Sequence, residues 1–430
     1  MSREFFKVVV IFTVSALLLG SLASVSYAEK VTIRLATWAG VDEAKELQAI
    51  LDQLNAKSNI YNIVQESSPA EYMTKLQTTL AAGTAADLFW VAQEYVMGLA
   101  SKGVLMDITD RLRKDKENPA ANLKDYFKPA LDRFTYRGRI YGLPWISQPV
   151  VLFCNLDLFD KAGLPYPDAT WDWDKFLEVA RKLTIDKNGK SANESGFNPE
   201  ATVQWGFSLN GWPPIQMFIW QAGGEVITPD FKYSPIDTPE AIKGAQFYVD
   251  LLNKYHVTPP LSIIRDRGFD GMYRNQQVAM FMGGAADDLD WNVKFRSQAF
   301  LVPKGPSGKR TTFSWIGGMA INPKTKYPDI AYKAFMDLTE AIHHWKIVPP
   351  RKSLATKAAL IKINEKKAHS YDAIIASMSN AIGFRIFPNY AEWDSVFWNQ
   401  YVDPLLNNRG SASELAPKVR PLLEKVLRSR

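Results

Sequence analysis

Three features of the sequence predict an α/β fold built as two lobes. Strand and helix patterns alternate from Val31 to Leu99; the chain is 430 residues long; and an extended segment at Ile140–Pro149 feeds an apolar run at Val150–Cys154. Alternating strands and helices imply a largely parallel sheet joined by crossover helices. Single hydrophobic cores stop growing at roughly 250–300 residues, so this length calls for two. Pro144 and Pro149 hold their predecessors extended, which suits a strand passing from one body into the next.

The elements follow in order. Val31–Leu35 alternates apolar and polar and reads as a strand. After the loop at Trp38–Gly40, Asp42 is the expected cap of a helix whose Ala44, Leu47, Ile50, Leu51 and Leu54 share a face. Asn62–Gln65 is a second strand. Tyr72, Leu76 and Leu80 mark a second helix, closed by Gly83. Ala86–Ala92 is a third strand, with Gln93-Glu94 opening the next helix. In such sheets the crevice lies at the carboxyl ends of the strands, which nominates the loops at Trp38, at Glu66–Ser68 and at Gln93-Glu94. Beyond the extended segment, Thr170 is the expected cap of a helix carrying Phe176, Leu177, Ala180 and Leu183. Trp205–Asn210 and Val278–Met282 read as strands, and Trp212–Ala222, Thr238–Leu252 and Tyr332–Ile342 as helices. Near the end, Leu415, Val419, Leu422, Leu423 and Val426 form a helical stripe that Pro417 and Pro421 are expected to delay or break.

Residues 1–28 have the pattern of a removable export signal. Arg3 and Lys7 precede an apolar run at Val8–Leu19, and Ser26-Tyr27-Ala28 ends it. The run is shorter than the roughly 20 residues of a bilayer span, and no cysteine follows it to carry a lipid. The expected mature chain is therefore a soluble, monomeric protein of the periplasm or extracytoplasmic space. Cys154 is the only cysteine, which excludes an intramolecular disulfide. The formal charge is +6, and its lysines and arginines are scattered. That describes a solvated surface rather than a nucleic-acid footprint.

Enzyme chemistry finds little support. His256, His343, His344 and His369 show no zinc spacing, and no G-x-S-x-G elbow is present. Gly189-Lys190 and Gly308-Lys309 lack the upstream glycine of a phosphate loop. Asp287, Asp288 and Asp290 are the densest acidic cluster, short of a calcium ligand set. No metal and no cofactor is expected. Paired carboxylates of a secreted hydrolase leave no mark of their own in a sequence, so that reading stays as an alternative.

Binding chemistry has positive features. Thirteen tryptophans are a rich supply. A sugar presents apolar faces and a rim of hydroxyls, which flat rings with carboxylates and amides beside them complement. Candidate groupings are Trp38 with Asp42, Trp145 with Gln148 and Trp212 with Asn210. Trp315 stands before Gly317-Gly318, and Trp393 beside Asn389 and Glu392. Glu66 and Asp287 are further polar candidates. Gly283-Gly284 and Gly317-Gly318 would let a ligand approach the backbone. Trp90, Trp171, Trp173, Trp205, Trp220 and Trp291 are read as packing.

Four strings in register carry a family resemblance. Tyr72–Asp110, then Gly138–Phe176 with its GRIYGLPW, CNLDLFDKAGL and TWDWDKF motifs, then Gln277–Gly284 and Ile316–Asn322 resemble the family 1 extracellular solute-binding proteins. These are periplasmic sugar-binding components of ABC importers, of the maltose-binding-protein type. The resemblance covers essentially the whole mature chain. It implies the periplasmic-binding-protein fold with three interlobe crossings, at Ile140–Pro149, Phe300–Pro303 and Trp345–Pro350. The implied first lobe is 29–143 with 303–344, and the second 144–302 with 345–430. It further implies carbohydrate capture by hinge closure and delivery to permease subunits, without catalysis. Gln93-Glu94 and Gln148 fall where the family places cleft contacts. A phosphorylated polyol such as glycerol 3-phosphate is the rival ligand, should Arg351 or Arg385 point into the cleft.

Overall fold

The computed structural model describes residues 29–429 except 210–211, 268–269 and 346–347. The expected export signal and Asn210 lie outside the described residues. Among the described residues twelve strands follow in chain order: β1 (Val31–Thr37), β2 (Tyr61–Ser67), β3 (Leu88–Ala92), β4 (Thr135–Tyr136), β5 (Arg139–Ile140) and β6 (Leu143–Asn155); then β7 (Ile185–Asp186), β8 (Thr202–Ser208), β9 (Val278–Gly284), β10 (Ser297–Phe300), β11 (Thr312–Ile321) and β12 (Ala381–Ile382). The main sheet runs β2-β1-β3-β11-β6-β9-β8-β7, with β10 on β6 and β12 on β11.

Two large cores hang on this sheet. One gathers side chains from Ile33 to Ile146 and from Ile316 to Ile342. The other gathers Val150 to Val302, Phe313, and Ile386 to Leu427. β6 joins them as one strand, with Ile146 in the first core and Val150 in the second. Its apolar run is buried on both faces: Val150, Leu152 and Cys154 enter the second core, while Val151 and Phe153 enter a smaller third cluster. Strand side chains alternate faces, so a continuous apolar run is what such a position demands.

β11 carries the chain back beside β6. Phe313 still belongs to the second core and Ile316 to the first. Ser314 pairs with Pro149, Trp315 with Gln148 and Ile316 with Ser147, and the Ser147 and Ser314 hydroxyls lie 3.2 Å apart. The second passage is thus at Ser314–Ile316, later than the expected Phe300–Pro303. Val302 is buried in the second core, Ser307 Oγ donates to the Gln221 carbonyl at 2.7 Å, and Arg310 holds the Val302 carbonyl. At the third passage Trp345 stacks on Trp145, and the Ser147 N–H donates to Val348 O at 2.9 Å.

These return strands also make the sheets less parallel than expected. β1 pairs in parallel with β2 and β3, as β8 does with β9. β11 is antiparallel to β3 and β6, and β6 to β9 and β10. One strand leaving a body and one coming back side by side must run in opposite directions.

Three local expectations are corrected. Gly40, not Asp42, caps the helix Val41–Lys57, and Asp42 sits in its first turn, where a carboxylate favours the helix dipole. Asp172, not Thr170, caps the helix Trp173–Lys182, accepting the Lys175 N–H at 2.9 Å. The final helix, Ala412–Arg428, runs through both prolines from a capping box of Ser411 and Glu414. Pro417 and Pro421 lie on its exposed face, where water can satisfy the carbonyls they leave unpaired. Leu422 is on that face too, outside the buried stripe.

A buried histidine ties the first passage down. His343 follows the helix Pro328–Ile342 and is 0% exposed. Its Nε2 lies 3.0 Å from the Pro144 carbonyl, so Nε2 carries the proton that it donates. Burial pushes its pKa from 6.5 down to about 3. Below pH 6.5 the unfolded chain therefore takes up a proton that the native chain refuses, and stability falls as pH drops from 6.5 towards 3. His343→Gln keeps an N–H donor without titrating. In urea melts at pH 7 and pH 4.5 the parent chain should lose about 2–3 kcal/mol more than the variant. Equal losses would clear His343 of that role.

Candidate functional site

β3 ends at Ala92, and the helix Gln93–Ser101 starts at once. Glu94 and Tyr95 therefore stand at the carboxyl end of a parallel strand, where crevices form. Facing them from the second core are Trp212, Gln216, the loop at Phe384 and the helix Tyr390–Phe397. Together they wall a cavity of about 350 Å³, lined also by Asp394, Phe397 and Trp398.

Two carboxyls in this cavity are poorly solvated. Burial pushes Glu94 up to about 7 and Asp394 up to about 6. Glu94 accepts a hydrogen bond from Gln93 Nε2 at 3.2 Å, and Tyr390 Oη donates to Asp394 at 3.4 Å. Beside them, burial also lowers the pKa of the Arg133 guanidinium. Gln93 Oε1 and Arg133 Nε are buried without a hydrogen-bond partner. They converge: a Cβ on Gly383 would stand 3.3 Å from both. Both atoms are enclosed behind Glu94, and neither residue lines the cavity.

At the seam between the cores, five indoles form a second feature. Ring centroids lie 4.7 Å apart for Trp90 and Trp145, 5.0 Å for Trp38 and Trp90, and 5.9 Å for Trp38 and Trp315. Trp345 stacks on Trp145 at 6.1 Å and donates to Glu46 at 2.8 Å. Trp90 and Trp145 are buried, whereas Trp38, Trp315 and Trp345 keep partly open faces. Trp315 packs against both cores.

The sequence candidates divide sharply. Glu94 and Trp212 come together at the cavity, with Gln93 buried behind Glu94, and Trp38 and Trp315 meet at the seam. Gln148 and Asp287 meet, with Gln148 Nε2 donating at 2.9 Å, and Asp287 also accepts the Gly284 N–H at 2.8 Å. Burial pushes Asp287 up to about 6.

The other candidates have structural roles. Asp42 is solvent-exposed beside Lys45. Glu66 is held by Arg34 at 2.6 and 2.9 Å. Trp145 and Trp393 are 2% and 0% exposed, so neither offers a face; Trp393 lies between Tyr390 and Phe397. The glycines make room for neighbours and not for a ligand. A Cβ on Gly284 would meet the Gln148 amide at 1.5 Å, on Gly283 the Asp287 carboxylate at 2.8 Å, on Gly317 the Trp315 ring at 2.9 Å, and on Gly318 the Phe134 ring at 2.0 Å. Arg351 is buried between Asp125, at 3.0 Å, and Glu340, and Arg385 is held by Glu225 at 2.7 Å. Neither arginine is free for a phosphate. In the acidic cluster, Lys367 Nζ lies 3.2 Å from Asp288 and 3.1 Å from Asp290, where a metal ion would otherwise stand. No three metal-ligating side chains converge among the described residues.

Arg133, Phe384, Tyr390, Asp394 and Trp398 escaped sequence reading. Asp394 follows Trp393, the residue that drew attention, and a helix turns it about 100° away, onto the cavity face. For Arg133 no local signal exists.

The family profile described as bacterial extracellular solute-binding protein matches residues 39–338. This chain belongs to that family. The solute-binding protein is 21% identical to the maltodextrin-binding protein of Bacillus subtilis over 80% of its own length and 79% of the other's. It spans about 60% of the length of the first curated relatives, from Brucella abortus and Brucella suis, at 22% identity over 61% of this chain. Among solved structures, the ABC substrate-binding protein of Listeria monocytogenes in complex with cycloalternan superposes with a TM-score of 0.80, at 22% identity, over 93% of this chain and 99% of that one. A solute-binding protein of Thermotoga lettingae bound with α-D-tagatose gives 0.76, at 21% identity, over 93% and 100%. These likenesses establish the two-lobed fold of the solute-binding protein. No described helix is long and apolar enough to cross a membrane.

Proposed function

We propose that this solute-binding protein captures a saccharide between its lobes and delivers it to the permease of an ABC importer. The observation that carries this reading is the cavity itself. Glu94 and Tyr95 come from one core, and Trp212, Phe384, Tyr390 and Asp394 from the other. Aromatic faces with desolvated polar groups around them suit a sugar's apolar faces and hydroxyl rim. A ligand touching both walls gains its full set of contacts only when the lobes are closed, so binding draws the population towards closure. The units that move are the two cores, hinged where β6 and β11 pass between them, at Ser147–Pro149 and Ser314–Ile316. The names of relatives that bind maltodextrin and cycloalternan support the substrate class. The export pattern of residues 1–28 supports action outside the cytoplasm.

Titration calorimetry against a panel of mono- and oligosaccharides tests the reading, with product analysis because two poorly solvated carboxyls line the cavity. Binding without turnover is the expected result; hydrolysis, or silence across the panel, would overturn it. In the same assay Trp212→Ala should weaken the best ligand by roughly 1–3 kcal/mol, the scale of stacking on an aromatic face. Trp38→Ala tests whether the ligand reaches the seam and should cost a similar amount. Unchanged affinity in both would remove the stacking platforms.

A further inference from the structure

The charges around the interlobe cavity do not balance. Glu94 and Asp394 both line it, one from each lobe, and Arg385 is already committed to Glu225. Among the described residues, that leaves Arg133 as the nearby cation without an ion pair, and it hydrogen-bonds neither carboxyl; its Nε has no hydrogen-bond partner. Tyr95 and Tyr390, the other titratable groups facing the carboxyls, are neutral at ordinary pH, since burial, and then the nearby acids, raise both phenols. The set is thus one positive charge short, and closing the lobes drives two like charges towards each other with little water between them. Six of the other lining residues are aromatic: Tyr95, Trp212, Phe384, Tyr390, Phe397 and Trp398. Ring faces and carboxylates are the two surfaces that attract a cation.

We propose that the cavity takes an amino sugar, its ammonium group seated between Glu94 of one lobe and Asp394 of the other. The proposal rests on the saccharide reading above and adds the basic nitrogen to it. An ammonium there completes the charge set, donates to both acids, and turns interlobe repulsion into a bridge, so the ligand itself supplies the favourable contact of the closed form. The raised carboxyls fit this arrangement, because each is held partly protonated in the empty cavity and ionises when a cation arrives.

The test compares matched pairs by calorimetry at pH 7: glucosamine with glucose, galactosamine with galactose, and the disaccharide of β-1,4-linked glucosamine with cellobiose. The amine should bind about tenfold tighter in at least one pair, the scale of one desolvated charge contact. It should also release protons, read as a binding enthalpy that changes between two buffers of different ionisation heat. Asp394→Asn should erase that preference and the proton release while leaving the melting temperature near the parent value. Equal affinity within every pair would overturn the amino-sugar proposal and leave saccharide capture standing. An amine preference untouched by Asp394→Asn and by Glu94→Gln would overturn the seating. Silence from all six sugars would overturn the amino-sugar proposal together with this ligand range, and the wider panel then decides the saccharide reading separately.

Discussion

Replacing Lys367 with methionine should cost the protein about 3–5 kcal/mol of stability, the scale of removing one partner from a buried ion pair. Lys367 is 0% exposed. Its Nζ donates to the Ala285 carbonyl at 2.6 Å and to Asp288 at 3.2 Å, and lies 3.1 Å from Asp290, itself 3% exposed. Methionine fills the space but leaves the Asp290 carboxylate sealed without a countercharge. The two aspartates stand one and three positions after Asp287, so the loop that anchors Gln148 loosens with them. Urea unfolding measures the loss. Adding Asp290→Asn to the variant removes the stranded charge and should restore a large part of it. A loss under about 1 kcal/mol in the single variant would mean that the pair is not acting as a buried one.

Gly206→Ala is the second large effect, with an expected loss of about 3 kcal/mol, at the upper end of overpacking. Gly206 lies in β8, where its N–H is held by Thr184 Oγ1 at 2.9 Å. A Cβ there would stand 1.9 Å from the Ala180 carbonyl oxygen and 2.7 Å from the Ala180 Cα. Both neighbours are helix backbone, so no side chain can swing aside, and strand and helix must separate. Gly271→Ala, which meets nothing within 4 Å, is the control. Equal melting temperatures for the two variants would refute the close approach. Gly284→Ala lies between them: its obstacle is the mobile end of Gln148, so it should give up the Gln148–Asp287 link more than the fold.

The readable parts of this protein were those with local causes. The first three strands and their helices follow from periodicity and from Gly83, which sits in the left-handed region at φ 73° where glycine is at home. Trp173 reads correctly as packing: it stacks on Phe247 at 4.1 Å and gives its N–H to Gln221. Glu94 lines a cavity at the end of β3, because strand ends of parallel sheets are where crevices form. The candidates that moved did so for long-range reasons. Arg351 looks free in sequence, but Asp125, 226 residues earlier, occupies it. Gly284 looks open, but Gln148 fills the opening from another strand.

By itself the sequence determined the class of fold, the order of its elements, the likeness to extracellular solute-binding proteins and a supply of aromatic rings suited to sugars. Each depends on spacing along the chain, which a helix or strand converts directly into a face. Which of those rings stays open, and which carboxyls stand against them, was decided only in the tertiary structure. Glu94 and Asp394 are remote in sequence and come together when two cores, joined by strands running opposite ways, meet around a cavity. Burial there sets the charge of each group, and burial is a property of the assembled lobes rather than of any segment.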